Sequence, residues 1–126
     1  MDFDNSKPIY LQIVDFFYES ILARRWPEGE RIPSVREVAM MVEVNPNTAI
    51  RAFNYLQDEG VIYNKRGIGY FVSENGYKKV LDIKRKEFIE LTLPDVFKKM
   101  ILLDVKLEEM SNSYNQYVND IDHENK

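Results

Sequence analysis

The fold is decided by residues 34–72, which read SVREVAMMVEVNPNTAIRAFNYLQDEGVIYNKRGIGYFV. Ser34 and Glu37 form a capping box, in which the hydroxyl accepts a hydrogen bond at the helix start and the glutamate reaches back. A second helix start follows at Asn45-Pro46, because asparagine is favoured as the N-cap and proline at the first helical position. The segment therefore predicts two short helices separated by a tight turn.

After Gly60 the sequence changes from helical to strand periodicity. Glycine is suited to the left-handed end of a helix, and the runs 61–63 and 70–72 are rich in β-branched and aromatic residues. Gly67 and Gly69 lie in the turn between these runs, which predicts a hairpin. Two short helices followed by a hairpin indicate a winged helix-turn-helix.

A longer helix is predicted ahead of this module. Pro8 opens a helix over roughly 8–24, in which apolar residues recur at helical spacing. The stretch 25–33, with two prolines and Gly29, then breaks the helix before Ser34.

The C-terminal part of the chain has a different pattern. Residues 76–92 form a charged, mildly amphipathic helix, and Pro94 starts the helix again. An apolar stripe with alternating spacings of four and three then runs through Val96, Met100, Leu103, Leu107, Met110, Tyr114, Tyr117 and Ile121. Such a stripe over more than three heptads is typical of a self-association helix. The alternative, a helix that packs inside its own chain, stays open.

Composition excludes several classes of site. The chain of 126 residues has no cysteine, which excludes disulfides, thiolate nucleophiles and cysteine-based zinc sites. The single histidine, His123, lies in an acidic tail and is interpreted as solvated. We therefore expect no catalytic residue, no metal site and no cofactor. The polar N-terminus and the lack of an apolar run near the roughly 18 residues of a membrane span predict a soluble, cytoplasmic protein without membrane contact.

The charge balance restricts any interaction with nucleic acid. The formal net charge is −4, and residues 1–75 alone carry 8 Lys and Arg against 11 Asp and Glu. Nucleic-acid-binding domains usually carry a basic footprint. Binding to DNA would therefore have to depend on a local basic patch.

The segment 8–72 resembles the DNA-binding domain of the GntR family of bacterial transcription regulators. The matching pieces follow in unbroken order and at the family's spacing: PIYLQI, PEGERIPSVREVA, VNPNTAIRAFNYLQDEGVI and GIGYFV. The VNPNT version and the short tail are similar to the YtrA-type subfamily. The resemblance implies an α+β, mostly helical fold, with a winged helix-turn-helix DNA-binding domain at 1–75 and a short two-helix dimerisation and effector tail at 76–126.

Two positions depart from the family pattern. Arg24 stands where the family often has glycine, so we expect a longer first turn here. Ile50 stands where many relatives outside this subfamily carry arginine, so the contacts of that arginine are not carried over.

The candidate DNA contacts come from three places in the module. Asn47, Thr48 and Arg51 lie on the third helix, which the resemblance places in the major groove. The resemblance also implies that Arg36 faces the DNA backbone. The complete candidate set is Ser34, Arg36, Asn45, Asn47, Thr48, Arg51, Lys65, Arg66 and Gly67.

Simpler interpretations stay open for most of this set. Ser34 and Asn45 are explained by helix capping alone. Arg51 could form a surface ion pair with Glu59, and the Lys65-Arg66 turn could be merely solvated.

The resemblance implies a sequence-specific DNA-binding transcription regulator and not an enzyme. We expect a homodimeric repressor on an inverted-repeat operator of double-stranded DNA, with an unidentified small-molecule effector. The expected dimerisation residues are Val96, Met100, Leu103, Leu107, Met110, Tyr114 and Tyr117. The alternative is a winged-helix protein-interaction module, which the net acidity favours.

Overall fold

The computed structural model describes residues 1–124. Along the chain follow α1 (Ile9–Leu22), α2 (Val35–Met41), α3 (Pro46–Asp58), β1 (Ile62–Lys65), β2 (Gly69–Val72), α4 (Gly76–Glu87), a π-helical turn (Phe88–Thr92), α5 (Leu93–Leu102) and α6 (Leu107–Glu124). The chain divides into two compact units, Met1–Lys84 and the part from Arg85 onward. Each unit is described by itself.

The core of the first unit is built where α1 packs against α3. Phe17 and Phe53 are fully buried and meet edge to face, with ring centroids 5.0 Å apart. Trp26 also meets Phe17 edge to face, with ring centroids 4.9 Å apart. The predicted helix over 8–24 is slightly shorter in the structure, because Pro8 is the N-cap and the helix ends at Leu22. This aromatic cluster holds α3 against α1.

The end of α1 corrects the expected longer turn. Arg24 itself adopts the left-handed conformation, with φ of 62°, and the Arg25 N–H donates to the Ser20 carbonyl at 3.0 Å, as in a Schellman motif. A left-handed residue other than glycine costs about 1–2 kcal/mol. The Arg24 guanidinium lies 3.5 Å from the ring centroid of Tyr77, and a cation–π contact of about 0.5–1 kcal/mol offsets part of that cost. The turn is therefore as short as one with glycine.

The two predicted helix starts are confirmed. The Glu37 N–H donates to the Ser34 hydroxyl at 3.1 Å, and the Ser34 N–H donates to the Glu37 carboxylate at 3.1 Å. The Asn45 side-chain oxygen accepts from the Asn47 N–H at 2.8 Å, and Pro46 is the first residue of α3. Each short helix therefore has its own local start signal.

The hairpin forms as predicted. β1 and β2 pair antiparallel, with Ile62 opposite Val72 and Lys65 opposite Gly69. Ile62 and Val72 are buried on the core side of this sheet. Arg31, from the loop before α2, forms an isolated bridge to Phe71. The winged helix-turn-helix predicted from the sequence is thus confirmed.

The first compact unit extends into α4. Val80 is fully buried in the core, and the rings and methyl groups of Tyr77 and Ile83 pack against it from the same helix. The Lys79 Nζ donates to the Gly60 carbonyl at 3.3 Å. This packing explains why the compact unit ends at Lys84, while the functional division at 75/76 stays a prediction.

The second unit corrects the prediction of one helix that starts at Pro94 and carries the whole apolar stripe. The chain does not break at Pro94, because the preceding π-helical turn is followed directly by α5. A π-helical turn has a wider hydrogen-bond spacing than an α-helix. It therefore accommodates the Pro94 ring and the missing backbone N–H of that residue. The break lies instead after Leu102: Asp104 is left-handed, with φ of 53°, and the Val105 N–H donates to the Met100 carbonyl at 2.9 Å.

The apolar stripe is therefore shared between two helices. Val96 and Met100 lie on α5, Leu103 lies in the turn, and the other members lie on α6. No residue of the π-helical turn, α5 or α6 is buried within the described chain. Leu103 and Leu107 are both 73% exposed. The large apolar side chains of this unit thus lack a core of their own.

Over residues 1–124, no helix combines the length and the apolar character that crossing a membrane requires.

We expect Tyr18→Phe to flatten the loss of stability at alkaline pH. Burial first, and then the hydrogen bond from the Tyr18 hydroxyl to the Glu59 carboxylate, raise the pKa of Tyr18 far above its ordinary value of 10.0. Above about pH 10 the unfolded chain loses this proton while the folded chain keeps it, so the free energy of unfolding falls by about 1.4 kcal/mol per pH unit. Urea unfolding at a series of pH values measures this slope.

Tyr63→Phe, which removes a hydroxyl from the exposed side of the wing, is the matched control. A Tyr18→Phe variant with an alkaline slope equal to that of the wild type would contradict the role assigned to this hydrogen bond.

Candidate nucleic-acid interface

The outer face of α3 can contact a partner molecule because its inner face packs against the rest of the unit. Ala49, Ala52 and Phe53 are buried against the rest of the unit. Asn47 and Arg51, four residues apart, lie exposed on the opposite side, and Thr48 is half-buried beside them. A helix that is anchored on one side and polar on the other can enter a groove of DNA.

The guanidinium of Arg51 is seated on an aromatic ring. Its central carbon lies 4.2 Å from the ring centroid of Tyr10, at the start of α1. Tyr10 in turn meets Tyr55 edge to face, with centroids 6.2 Å apart. Over residues 1–124 no ion pair joins Arg51 to Glu59, whose carboxylate instead accepts a hydrogen bond from Tyr18.

A concave surface that encloses a volume of about 330 Å³ connects the starts of α1 and α3. It is lined by Pro8, Ile9, Tyr10, Asn47, Thr48 and Arg51. The candidate contacts predicted from the sequence did not include Tyr10 and did not connect the start of α1 with this surface. The helical periodicity of α1 gives no signal for this role, because Tyr10 precedes Ile13, Phe17 and Ile21 at the spacing of the buried face.

A buried glutamine holds the chain ahead of this concave surface. The Gln12 side-chain nitrogen donates to the carbonyls of Asp4 and Lys7, each at 2.9 Å. Its side-chain oxygen accepts from the Asp4 N–H at 3.2 Å. The segment before Pro8 is thereby fixed to α1.

The start of α2 presents one exposed cation next to a closed capping box. Arg36 is exposed, whereas the Ser34 hydroxyl is engaged by the Glu37 N–H. Hydrogen bonds from the Ser34 backbone and side chain, and then the charge of Arg31, lower the pKa of Glu37 below its ordinary value. Asn45 likewise uses its side-chain oxygen in capping. The capping interpretations of Ser34 and Asn45 are therefore satisfied in the free protein.

The wing tip is a tight turn with two cations. The Ile68 N–H donates to the Lys65 carbonyl at 2.9 Å, and Gly67 has φ of 79°, which suits glycine at the third position of the turn. Lys65, Arg66 and Gly67 are exposed. The Lys65 Nζ lies 5.0 Å from the ring centroid of Phe71.

Acidic residues are absent from two of the segments that form this surface, whereas the start of α2 carries Glu37 beside Arg36. Neither residues 44–57, which include nearly all of α3, nor residues 60–73, which form the hairpin, contain an Asp or Glu. Asp15 of α1 pairs with Lys7 and, at 3.8 Å, with Lys84. Despite its net charge of −4, the chain thus has a locally cationic surface.

The predicted site residues fall into three groups in the structure. Asn47, Thr48 and Arg51 share the concave surface. Ser34 and Arg36 lie at the start of α2, with Asn45 at the N-cap of α3. Lys65, Arg66 and Gly67 lie at the wing tip. Over residues 1–124 no group of His, Cys, Asp and Glu could hold a metal ion, and His123 lies in the last turn of α6.

Comparison with known proteins gives a consistent family. Residues 9–72 match the model of the bacterial regulatory proteins, gntR family. The HTH-type transcriptional regulator YhcF of Bacillus subtilis is 34% identical over 108 residues, covering 86% of this chain and 88% of that protein. The HTH-type transcriptional repressor YtrA of the same organism is 39% identical over 80 residues, covering 64% of this chain and 62% of that protein.

A solved structure agrees over nearly the whole chain. A GntR family transcriptional regulator from Listeria monocytogenes superposes with a TM-score of 0.73 at 31% identity, and the match covers 90% of this chain and 98% of that one. Fold, family model and relatives all point to a regulator rather than an enzyme. The chain therefore belongs to the gntR family of bacterial regulatory proteins, as a YtrA-type DNA-binding transcription regulator.

Proposed function

We propose that the chain is a homodimeric repressor that binds an inverted-repeat operator with α3 in the major groove. The observation that carries this proposal is the outer face of α3 ahead of Asp58, which carries no carboxylate and where Asn47, Thr48 and Arg51 share one concave surface. Because a DNA duplex carries a high density of negative charge, it is repelled least by a surface without carboxylates.

The residues of α3 divide between reading and holding the duplex. Asparagine can form two hydrogen bonds to adenine, so Asn47 reads a base edge. Thr48 contacts a phosphate or a thymine methyl group. Arg51, seated on Tyr10, contacts a phosphate or guanine. Asn45 supports this helix start as its cap.

Residues on either side of α3 hold the backbone of the duplex. Arg36 binds a phosphate at the start of α2, beside the Ser34 cap. Lys65 and Arg66 reach the minor groove from the wing tip, where Gly67 lets the backbone approach closely. Contacts of this kind fix the register of the reading helix without reading sequence themselves.

The second unit supplies the dimer interface. Its exposed apolar residues lack a core within the described chain, and Leu103, Leu107, Tyr114 and Tyr117 are each at least 67% exposed. Val96, Met100 and Met110 complete the proposed interface with a second copy of the chain. Two protomers then read half-sites about one helical turn, or 34 Å, apart.

Repression is supported by the relative YtrA, which is named a transcriptional repressor. A dimer bound at a promoter excludes polymerase, and a regulator of this kind works in the cytoplasm, where it meets the chromosome. A small-molecule effector that repacks the tail at 76–126 would change the separation of the two reading helices and so the operator affinity.

A protein-interaction module is the second candidate function, because the net charge of −4 disfavours nucleic acid. The two functions differ in their response to salt. DNA binding loses affinity with a slope near −0.9 in log–log form per neutralised phosphate, whereas binding to a protein has no such fixed slope.

We expect Arg36→Ala and Arg51→Ala each to weaken binding to DNA and to lower the salt slope by about 1 per protomer. The probe is a duplex that the wild-type protein selects from a random-sequence pool, and fluorescence anisotropy at several salt concentrations gives the slope. Lys78→Ala, an exposed substitution on α4, is the control that keeps wild-type binding. Unchanged affinity and slope in both arginine variants would overturn the proposed interface.

Tyr10→Leu should weaken binding to the same duplex about 2- to 5-fold, because Arg51 loses the cation–π contact that seats it. Tyr10→Phe keeps the ring and should bind like the wild type. The same anisotropy assay compares the two variants. Equal losses in both variants would show that the hydroxyl, and not the seat for Arg51, matters at this position.

Leu107→Asp together with Tyr114→Asp should convert the dimer into a monomer, because charges replace apolar side chains on the exposed stripe of α6. Sedimentation equilibrium at micromolar concentration measures the mass. The control, Asn112→Asp, lies on the opposite side of α6 and leaves the dimer intact. A wild-type protein that sediments as a monomer would contradict the proposed assembly.

A further inference from the structure

An arginine outside the predicted site lies on the exposed side of the wing. Arg31 comes from the loop before α2, is exposed, and pairs with Phe71 of β2. Residues directly opposite in a sheet point to the same face, and so do residues two apart on one strand. Arg31, Phe71 and Gly69 therefore share the outer face, which also carries Lys65 opposite Gly69.

The side chain of Arg31 runs along β2 towards the wing tip. A methyl group placed on Gly69 would lie 2.8 Å from the Arg31 Nε and 3.6 Å from its Cδ and Cζ. Arg31 thus starts opposite Phe71 and reaches the level of Gly69, which is two residues closer to the turn. Only a residue without a side chain leaves this path open.

Gly69 is also held in a backbone conformation that favours glycine, with φ of 141°. A larger residue here would therefore be strained and would also displace Arg31. The two features together make Gly69 the residue that determines where the Arg31 guanidinium lies.

Arg31 bridges two parts of the proposed interface. Its charge is one of the causes that lower the pKa of Glu37, which lies in the first turn of α2 next to Arg36. Its side chain meanwhile lies against the wing. Because the Glu37 carboxylate already accepts the Ser34 N–H, it stays with the capping box. The Arg31 side chain thus lies against the wing, and its charge acts on the first turn of α2.

We propose that Arg31 is a further phosphate-binding residue of this regulator and that Gly69 positions it. The inference rests on the proposed DNA interface and adds to it a contact between the α2 start and the wing. A phosphate, rather than a base, is the partner because Arg31 projects from the flank of the wing and not from the reading helix or the tip.

A double-mutant cycle on the full chain tests this proposal. Arg31→Ala should weaken binding to the selected duplex about 5-fold per protomer at 0.15 M salt, the electrostatic value of one neutralised phosphate, and should lower the salt slope by about 1 per protomer. Arg31→Lys keeps the charge and should keep the slope. Gly69→Ala should weaken binding in the wild-type background but have a much smaller effect in the Arg31→Ala background.

Three other outcomes of the double-mutant cycle would each contradict a part of the proposal. If Arg31→Ala leaves affinity and slope unchanged while Arg36→Ala weakens binding, Arg31 is not a contact and the rest of the interface stands. If neither variant weakens binding, the proposed interface itself fails. If Gly69→Ala costs the same in both backgrounds, backbone strain explains its effect and the positioning role is overturned. Thermal melting of each variant confirms that the proteins compared are folded.

Discussion

The packing of Phe53 of α3 against Phe17 of α1 is the interaction on which the rest of the first unit depends. It is an edge-to-face contact between two fully buried rings, and Trp26 and Tyr70 extend it on either side. Loss of a buried phenylalanine ring costs about 3–5 kcal/mol, which is a large part of the stability of a small domain. Because this contact fixes the inner face of α3, the outer face keeps one orientation towards any partner. This anchoring of α3 keeps the polar residues Asn47 and Arg51 on the exposed side of the helix.

The charge distribution then determines which partner the outer face can meet. A chain with net charge −4 would repel a duplex if its carboxylates were evenly spread. Instead, the segments 44–57 and 60–73 contain none, and the aspartate in the middle of α1 is neutralised by Lys7 and Lys84. Binding through a local patch on an acidic protein favours specificity, because the rest of the surface weakens attraction to arbitrary DNA.

Much of the first unit could be predicted from sequence because its signals are local. The Ser34 capping box, the Asn45-Pro46 start and the glycines of the hairpin each specify backbone geometry within a few residues. Contacts over long sequence separations could not be predicted in this way. The seat of Arg51 on Tyr10 joins residues 41 positions apart, and the path of Arg31 past Gly69 joins a loop to a strand.

The tail shows where periodicity misleads. The apolar spacing continues evenly from Val96 to Ile121, so it indicates a single helix. The backbone nevertheless turns at Asp104, since an aspartate can adopt the left-handed conformation that ends a helix, and no glycine or proline marks the position. Arg24 gives the same lesson at the end of α1, where a cation–π contact supports a conformation usually left to glycine. Residue type alone therefore does not locate these helix ends.

The central claim is that the starts of α2 and α3 and the wing tip form one DNA-binding surface. Amide hydrogen exchange of the full chain, with and without the selected duplex, tests it most directly. The claim predicts slower exchange on binding at residues 34–37, 45–51 and 65–69, with the exposed side of α4 unchanged. Protection that spares α3 and the wing and appears on α4 or α6 instead would contradict it.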